Sequence, residues 1–145
     1  MCIRDRHSGE DYDFHWRTCF FGDVALIDAP LVSYRIGGDD QLTSPRWAIE
    51  MARNANHTVH EWLKVFGNDG YVTNAERRRR LAYLENWYGE ALVMSGQYGG
   101  VRWLLRSLLR QPLRCRPWVM VCLGMLPQPI RTNVIASWRG STWRR

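Results

Sequence analysis

The sequence predicts an α/β segment followed by an α-helical region, mostly α by residue count. Three observations predict it. Two short apolar runs, Val24–Ile27 and Leu31–Val32, flank Pro30 and read as strands. From Ser44 onward, apolar residues recur at helical period between Gly and Pro breaks. The charge splits the same way: residues 1–70 carry seven basic and eleven acidic side chains, whereas residues 71–145 carry thirteen and three. Such asymmetry indicates two regions with different neighbours.

The first helix opens at Ser8-Gly9-Glu10-Asp11, with Ser8 as N-cap and carboxylates loading the first turn. Tyr12, Trp16, Cys19 and Phe20 share one face, and Gly22 ends the helix. Asp23–Ile36 reads as two strands, and Gly37-Gly38-Asp39-Asp40 as a turn. A second helix starts at Ser44-Pro45, where proline suits the first helical position, and runs to about Phe66. A third spans roughly Ala75–Met94 with Asn74 as cap, carrying Arg77–Arg80 and a stripe of Leu81, Leu84, Trp87, Tyr88, Ala91 and Leu92. A fourth covers Val101–Arg110 and a fifth Pro117–Leu126, closed by Pro127 and Pro129. The last sixteen residues are expected to fray.

Composition bounds the function. The chain has 145 residues, 46% hydrophobic and 23% charged, enough for a packed core. The longest apolar run, Trp118–Leu126, is far short of the ~20 residues a membrane span needs. Cys2, Cys19, Cys115 and Cys122 have no zinc-ligand spacing and read as reduced thiols, which favours a cytoplasmic location. Met1–Arg6 has no secretory h-region. Its first five residues match the translation of ATG TGT ATA AGA GAC AG, a transposase adapter, so residues 1–6 read as a non-native leader and the gene is expected to begin upstream.

Gly9-Glu10-Asp11-Tyr12-Asp13-Phe14-His15-Trp16-Arg17 resembles the acidic ED motif of family 2 glycosyltransferases, which have the GT-A fold. Gly22–Asp28 resembles the strand that follows in that family. Ala29-Pro30-Leu31-Val32-Ser33-Tyr34-Arg35 resembles its "PLvxYR" strand, and Gln41–Ser44 the next polar turn. The resemblance covers residues 7–45, with 46–145 as a helical C-terminal region. It implies inverting transfer of a sugar from a nucleotide-sugar donor to a hydroxyl of a glycan acceptor, chemistry that builds bacterial cell-envelope polysaccharide. Asp11 would be the catalytic base, with Glu10 supporting its position. A carboxylate at a helix N-terminus stays ionised and can accept a proton, although helix capping explains the same placement. Arg17 would approach the donor diphosphate or pair with Asp13 four residues away. Tyr34 and Arg35 would face the diphosphate, or Arg35 would form a surface ion pair. A divalent metal, Mg or Mn, is expected for the full-length enzyme, with its ligands outside this chain. The family's histidine two residues after Tyr-Arg is Gly37 here. Asp11 and Asp13 spell a DxD, but helical spacing splays them by about 200°. With the donor-binding half absent, the chain alone is expected to be inactive.

The second half supports a different class of function. Nineteen of the twenty basic residues are arginine, there are eight tryptophans, and no Asp or Glu follows Glu90. Arg102, Arg106, Arg110, Arg114 and Arg116 with Trp103 and Trp118 have the composition of an interfacial surface: cations for anionic headgroups, indoles for the headgroup boundary. The rival reading is therefore a non-enzymatic helical module that binds a partner or the inner face of an anionic membrane. A solvated basic bundle face fits the same residues, and nucleic acid lacks any recognised stacking motif. His57, His60 and Glu61 could touch one metal, with a solvated helix face as the plainer reading.

Overall fold

The structure, a computed structural model, describes residues 10–33, 44–66 and 72–142; the side chains of Glu10, Tyr12, Phe20 and residues 139–142 are not described. Among the described residues six α-helices follow in order: α1 (Glu10–Phe21), α2 (Ala48–Phe66), α3 (Asn74–Met94), α4 (Gly100–Arg110), α5 (Cys115–Met125) and α6 (Gln128–Thr142). A 3-10 turn, Pro45–Trp47, leads into α2.

The fold class is thereby corrected. Among the described residues there is no strand, and the architecture is all-helical, not the α/β end of a GT-A domain. The resemblance to family 2 glycosyltransferases is overturned with it. Residues 22–33 form no regular element, and Val24, Leu26, Ile27, Leu31 and Val32 are all exposed. An extended segment is stable in a sheet only when a neighbouring strand takes its backbone groups and a core covers one face. The described chain supplies neither to this segment. The rest of the expected second strand, Tyr34–Ile36, the turn at residues 37–40 and the leader at 1–6 lie outside the described residues.

Helix α3 is the hub. Its first half packs on α2: Leu81 and Leu84 meet Ala55, Val59, Trp62 and Leu63, with Trp16 of α1, Phe66, Val72 and Trp87 against the cluster. Helix α2 can form this face because Ala52, Ala55, Val59, Trp62 and Leu63 recur at helical spacing and are buried. Trp16 crosses Trp62 edge-on at 4.8 Å between ring centroids, which docks α1. The second half of α3 enters another core, where Val93 meets Leu104, Leu108, Met120, Val121, Leu123 and Ile135 from α4, α5 and α6.

Local chemistry sets the ends of α3. Thr73 is the N-cap, and its hydroxyl accepts from the Glu76 N–H at 3.2 Å while the Glu76 carboxylate accepts from the Thr73 N–H at 3.0 Å. This reciprocal capping box lies one residue before the cap expected from the sequence. Those bonds hold the Glu76 carboxyl below its ordinary range. At the other end Gly96 takes φ +88°, and the Gly96 and Gln97 N–H groups bond Val93 O and Leu92 O in a Schellman closure.

Helices α3 and α4 approach through glycine. A Cβ on Gly100 would lie 2.5 Å from Gly89 O and 2.8 Å from Val93 Cγ2. Only a residue without a side chain lets the backbones meet this closely.

The expected fraying of the last sixteen residues is also corrected over residues 130–142, which belong to α6, while residues 143–145 lie outside the described residues. Arg131 is fully buried and donates to Gly96 O at 2.6 Å and Gly124 O at 3.3 Å, with its guanidinium 4.2 Å from the Tyr98 ring centroid. With no carboxylate partner among the described residues, this cation is compensated by carbonyls at the C-terminal ends of α3 and α5, where the helix dipoles are negative, and by an aromatic face. It ties α6 to the bundle.

Candidate functional site

Of the residues expected to perform catalysis or bind substrate, Asp11, Arg17 and the backbone of Glu10 lie among the described residues. Glu10 opens α1 and Asp11 lies exposed in its first turn. Arg17 Nε donates to Asp13 Oδ2 at 3.1 Å, the ion pair that its i,i+4 spacing favours. Tyr34 and Arg35 lie outside the described residues, as do Asp39 and Asp40. Among the described residues no group of three His, Cys, Asp or Glu side chains is placed to hold a metal ion, and His57 and His60 gain no such role.

Among the described arginines of the second half, two sets stand apart. One set holds the fold. Arg110 forks onto Glu85 through Nε at 2.8 Å and Nη2 at 3.1 Å, with Glu85 only 1% exposed. Arg116 forks onto Glu90 at 2.7 and 2.8 Å, and Asn86 also donates to Glu90. The planar fork matches a carboxylate at two points, so each pair clamps the end of α4 or the start of α5 to α3. The Arg116 pair raises that guanidinium's pKa above its ordinary value. Arg131 completes this set.

The other set faces solvent. Arg102 and Arg106 are exposed on α4, and Arg106 stacks over Trp103 at 4.9 Å. Between and beyond them stand exposed apolar side chains. Leu109 is 87% and Leu113 95% exposed, and Leu105, Trp118, Val119 and Met125 are about half exposed or more. Trp118 Nε1 donates to Pro112 O at 3.0 Å, which holds the indole against the turn that carries Leu113. Helix α5 keeps Met120, Val121, Leu123 and Gly124 inside and presents Trp118, Val119, Cys122 and Met125 outside. Exposed apolar groups close in sequence to exposed cations have the composition of an interaction surface.

Two grooves flank the first half of α3. One, about 700 Å³, is lined by Trp16, Glu76, Arg79, Arg80, Tyr83 and Arg114. The other, about 530 Å³, lies where α2, α3 and α4 meet. His60, on the wall of the second groove, has its pKa lowered, first by burial and then by Arg110, Lys64 and His57, against the opposing pull of Glu85.

The acidic anchors Glu85 and Glu90 were not singled out by sequence reasoning, although a signal existed. Glu85 lies four residues after Leu81 and seven before Leu92, within the apolar stripe of α3. A carboxylate in a core stripe needs a cation, and a chain with three acids in its second half has few sites for it. The burial of Arg131 carried no comparable signal, because its partners are backbone carbonyls.

No protein-family model, curated protein or solved structure matches this chain.

Proposed function

We propose that this chain is a non-enzymatic helical module that docks on an anionic membrane surface through the Arg- and Trp-rich outer face of α4 and α5. The observation that carries the reading is the exposure of Leu109, Leu113 and Trp118 and of Arg102 and Arg106, in a stretch of sequence with no Asp or Glu after Glu90. Charge complementarity selects the partner: a carboxylate-free cationic rim attracts anionic headgroups, and the apolar side chains enter the headgroup boundary. Each basic residue near such a surface contributes roughly 1 kcal/mol and falls off with salt. The contact is peripheral in kind, since no described helix is long and apolar enough to cross a membrane. Sugar transfer was expected only through the α/β resemblance, and the helical architecture lends it no support.

Vesicle sedimentation tests the reading. The chain should pellet with vesicles containing phosphatidylglycerol, release as sodium chloride is raised, and ignore phosphatidylcholine. Leu113→Glu removes an apolar contact and adds repulsion without touching the core, so it should weaken binding about tenfold. Equal recovery with neutral and anionic vesicles, or none with either, would overturn the proposal.

A further inference from the structure

The second groove beside α3 has a charge imbalance that the ion pairs of the fold leave uncompensated. Its lining combines Arg78 of α3, Arg106, Leu109 and Arg110 of α4, and His60 of α2, with Glu85 at its base. Three guanidiniums and an imidazole therefore surround one carboxylate. That carboxylate is committed, since both of its oxygens accept from Arg110. The nearby Glu61 accepts from Lys64 at 2.7 Å. Arg78 and Arg106 are exposed and come from two different helices. Arg106 is already ordered by its stacking on Trp103, which lowers the entropy lost when it grips a ligand.

We propose that this groove binds a phosphomonoester dianion between Arg78, Arg106 and His60, with Arg110 held at its base by Glu85. The chemistry selects this ligand class. A terminal phosphate carries nearly two charges and three acceptor oxygens, which match two guanidinium forks and an imidazole N–H. A carboxylate monoanion would leave one cation uncompensated. The phosphate can come from a soluble ester or from a lipid headgroup, because the exposed Leu109 both lines the groove and belongs to the membrane-facing surface. The proposal does not depend on membrane docking, since the groove is formed by the bundle itself.

The test uses the whole chain and inorganic phosphate, with ionic strength held constant by sodium chloride. Phosphate should raise the His60 imidazole pKa, followed by NMR, because a bound dianion opposes the effects that lower it. Arg78→Gln and Arg106→Gln should each weaken phosphate binding about tenfold. Arg78→Lys, which keeps the charge, should restore part of the loss, and far-UV circular dichroism should show the helices intact. A His60 response no larger than in chloride alone, or unchanged phosphate binding in both glutamine variants, would overturn the site. Vesicles of phosphatidic acid and phosphatidylglycerol at matched surface charge then identify the source. Preferential binding to phosphatidic acid, lost in Arg78→Gln, assigns a lipid headgroup. Equal vesicle binding with the soluble phosphate response retained assigns a soluble ester. Loss of vesicle binding alone, with that response retained, counts against the membrane reading and leaves the groove in place.

Discussion

Residues 22–33 and helix α4 have nearly the same apolar content, seven of twelve residues against six of eleven, and opposite fates. In the first segment Leu26 is 91% exposed, whereas Leu104 in α4 is completely buried. Hydrophobic content therefore does not decide burial in this chain. Helix α4 satisfies its own backbone, gathers Leu104 and Leu108 on one side, and meets α3 through Gly100 and Gly89. Residues 22–33 would need another strand to satisfy their backbone before any apolar face could be used.

The contrast can be broken most forcefully at the Arg110–Glu85 pair. Arg110→Ala leaves the Glu85 side chain, 2% exposed, without its partner and should destabilise the fold by about 3 kcal/mol in urea melts. Glu85→Ala should cost less, because the Arg110 side chain is 35% exposed and can turn to water. Equal losses would show that the buried carboxylate is not the expensive partner.

Gly100→Ala follows in size and tests the close approach directly. Helix propensity alone favours alanine by up to about 1 kcal/mol. The added Cβ meets a backbone carbonyl that cannot rotate away, so the net change should be a loss of about 2 kcal/mol. A stabilised variant would mean that α3 and α4 are farther apart.

A smaller effect comes from His60, whose folded pKa lies below the ordinary 6.5 chiefly because of burial. The unfolded chain then binds the proton more readily than the folded one. Its contribution to stability is complete above the unfolded value near 6.5 and declines as pH falls below it, until the folded value is passed. Urea midpoints at pH 7.5 and 5.5 should differ more in the parent chain than in His60→Gln.

The smallest effect belongs to the exposed segment. Leu26→Ser should change stability by less than about 0.5 kcal/mol in the same urea melts. A loss above 1 kcal/mol would place Leu26 in a core and erase the contrast with α4.

Most helices were legible from local signals. Pro45, the stripe of α3, the glycines at 96, 99 and 100, and Pro112 mark boundaries within a few residues of those observed. Thr73 was legible as well, since Thr73-Asn74-Ala75-Glu76 spells the capping box, although Asn74 competes for the cap. The expected strands failed for a physical reason. A helix closes its hydrogen bonds within itself, so sequence period can reveal it, but a strand is defined by a partner that sequence period cannot supply. The candidate surface was legible in kind from Arg and Trp composition. The sorting of its arginines was not, because Arg110 and Arg106 look alike until α3 places Glu85 beside only one of them in a bidentate pair.

The sequence by itself determined the charge asymmetry, the helical periods from Ser44 onward and the absence of carboxylates after Glu90, because these are properties of residue order alone. The tertiary structure decided which cations hold the fold and which face outward, that Arg131 is buried at two helix ends, and that a groove with excess positive charge opens between α2, α3 and α4. Each of those depends on residues separated along the chain meeting in space. Their energies depend on burial, distance and geometry, which only the packing of the helices sets.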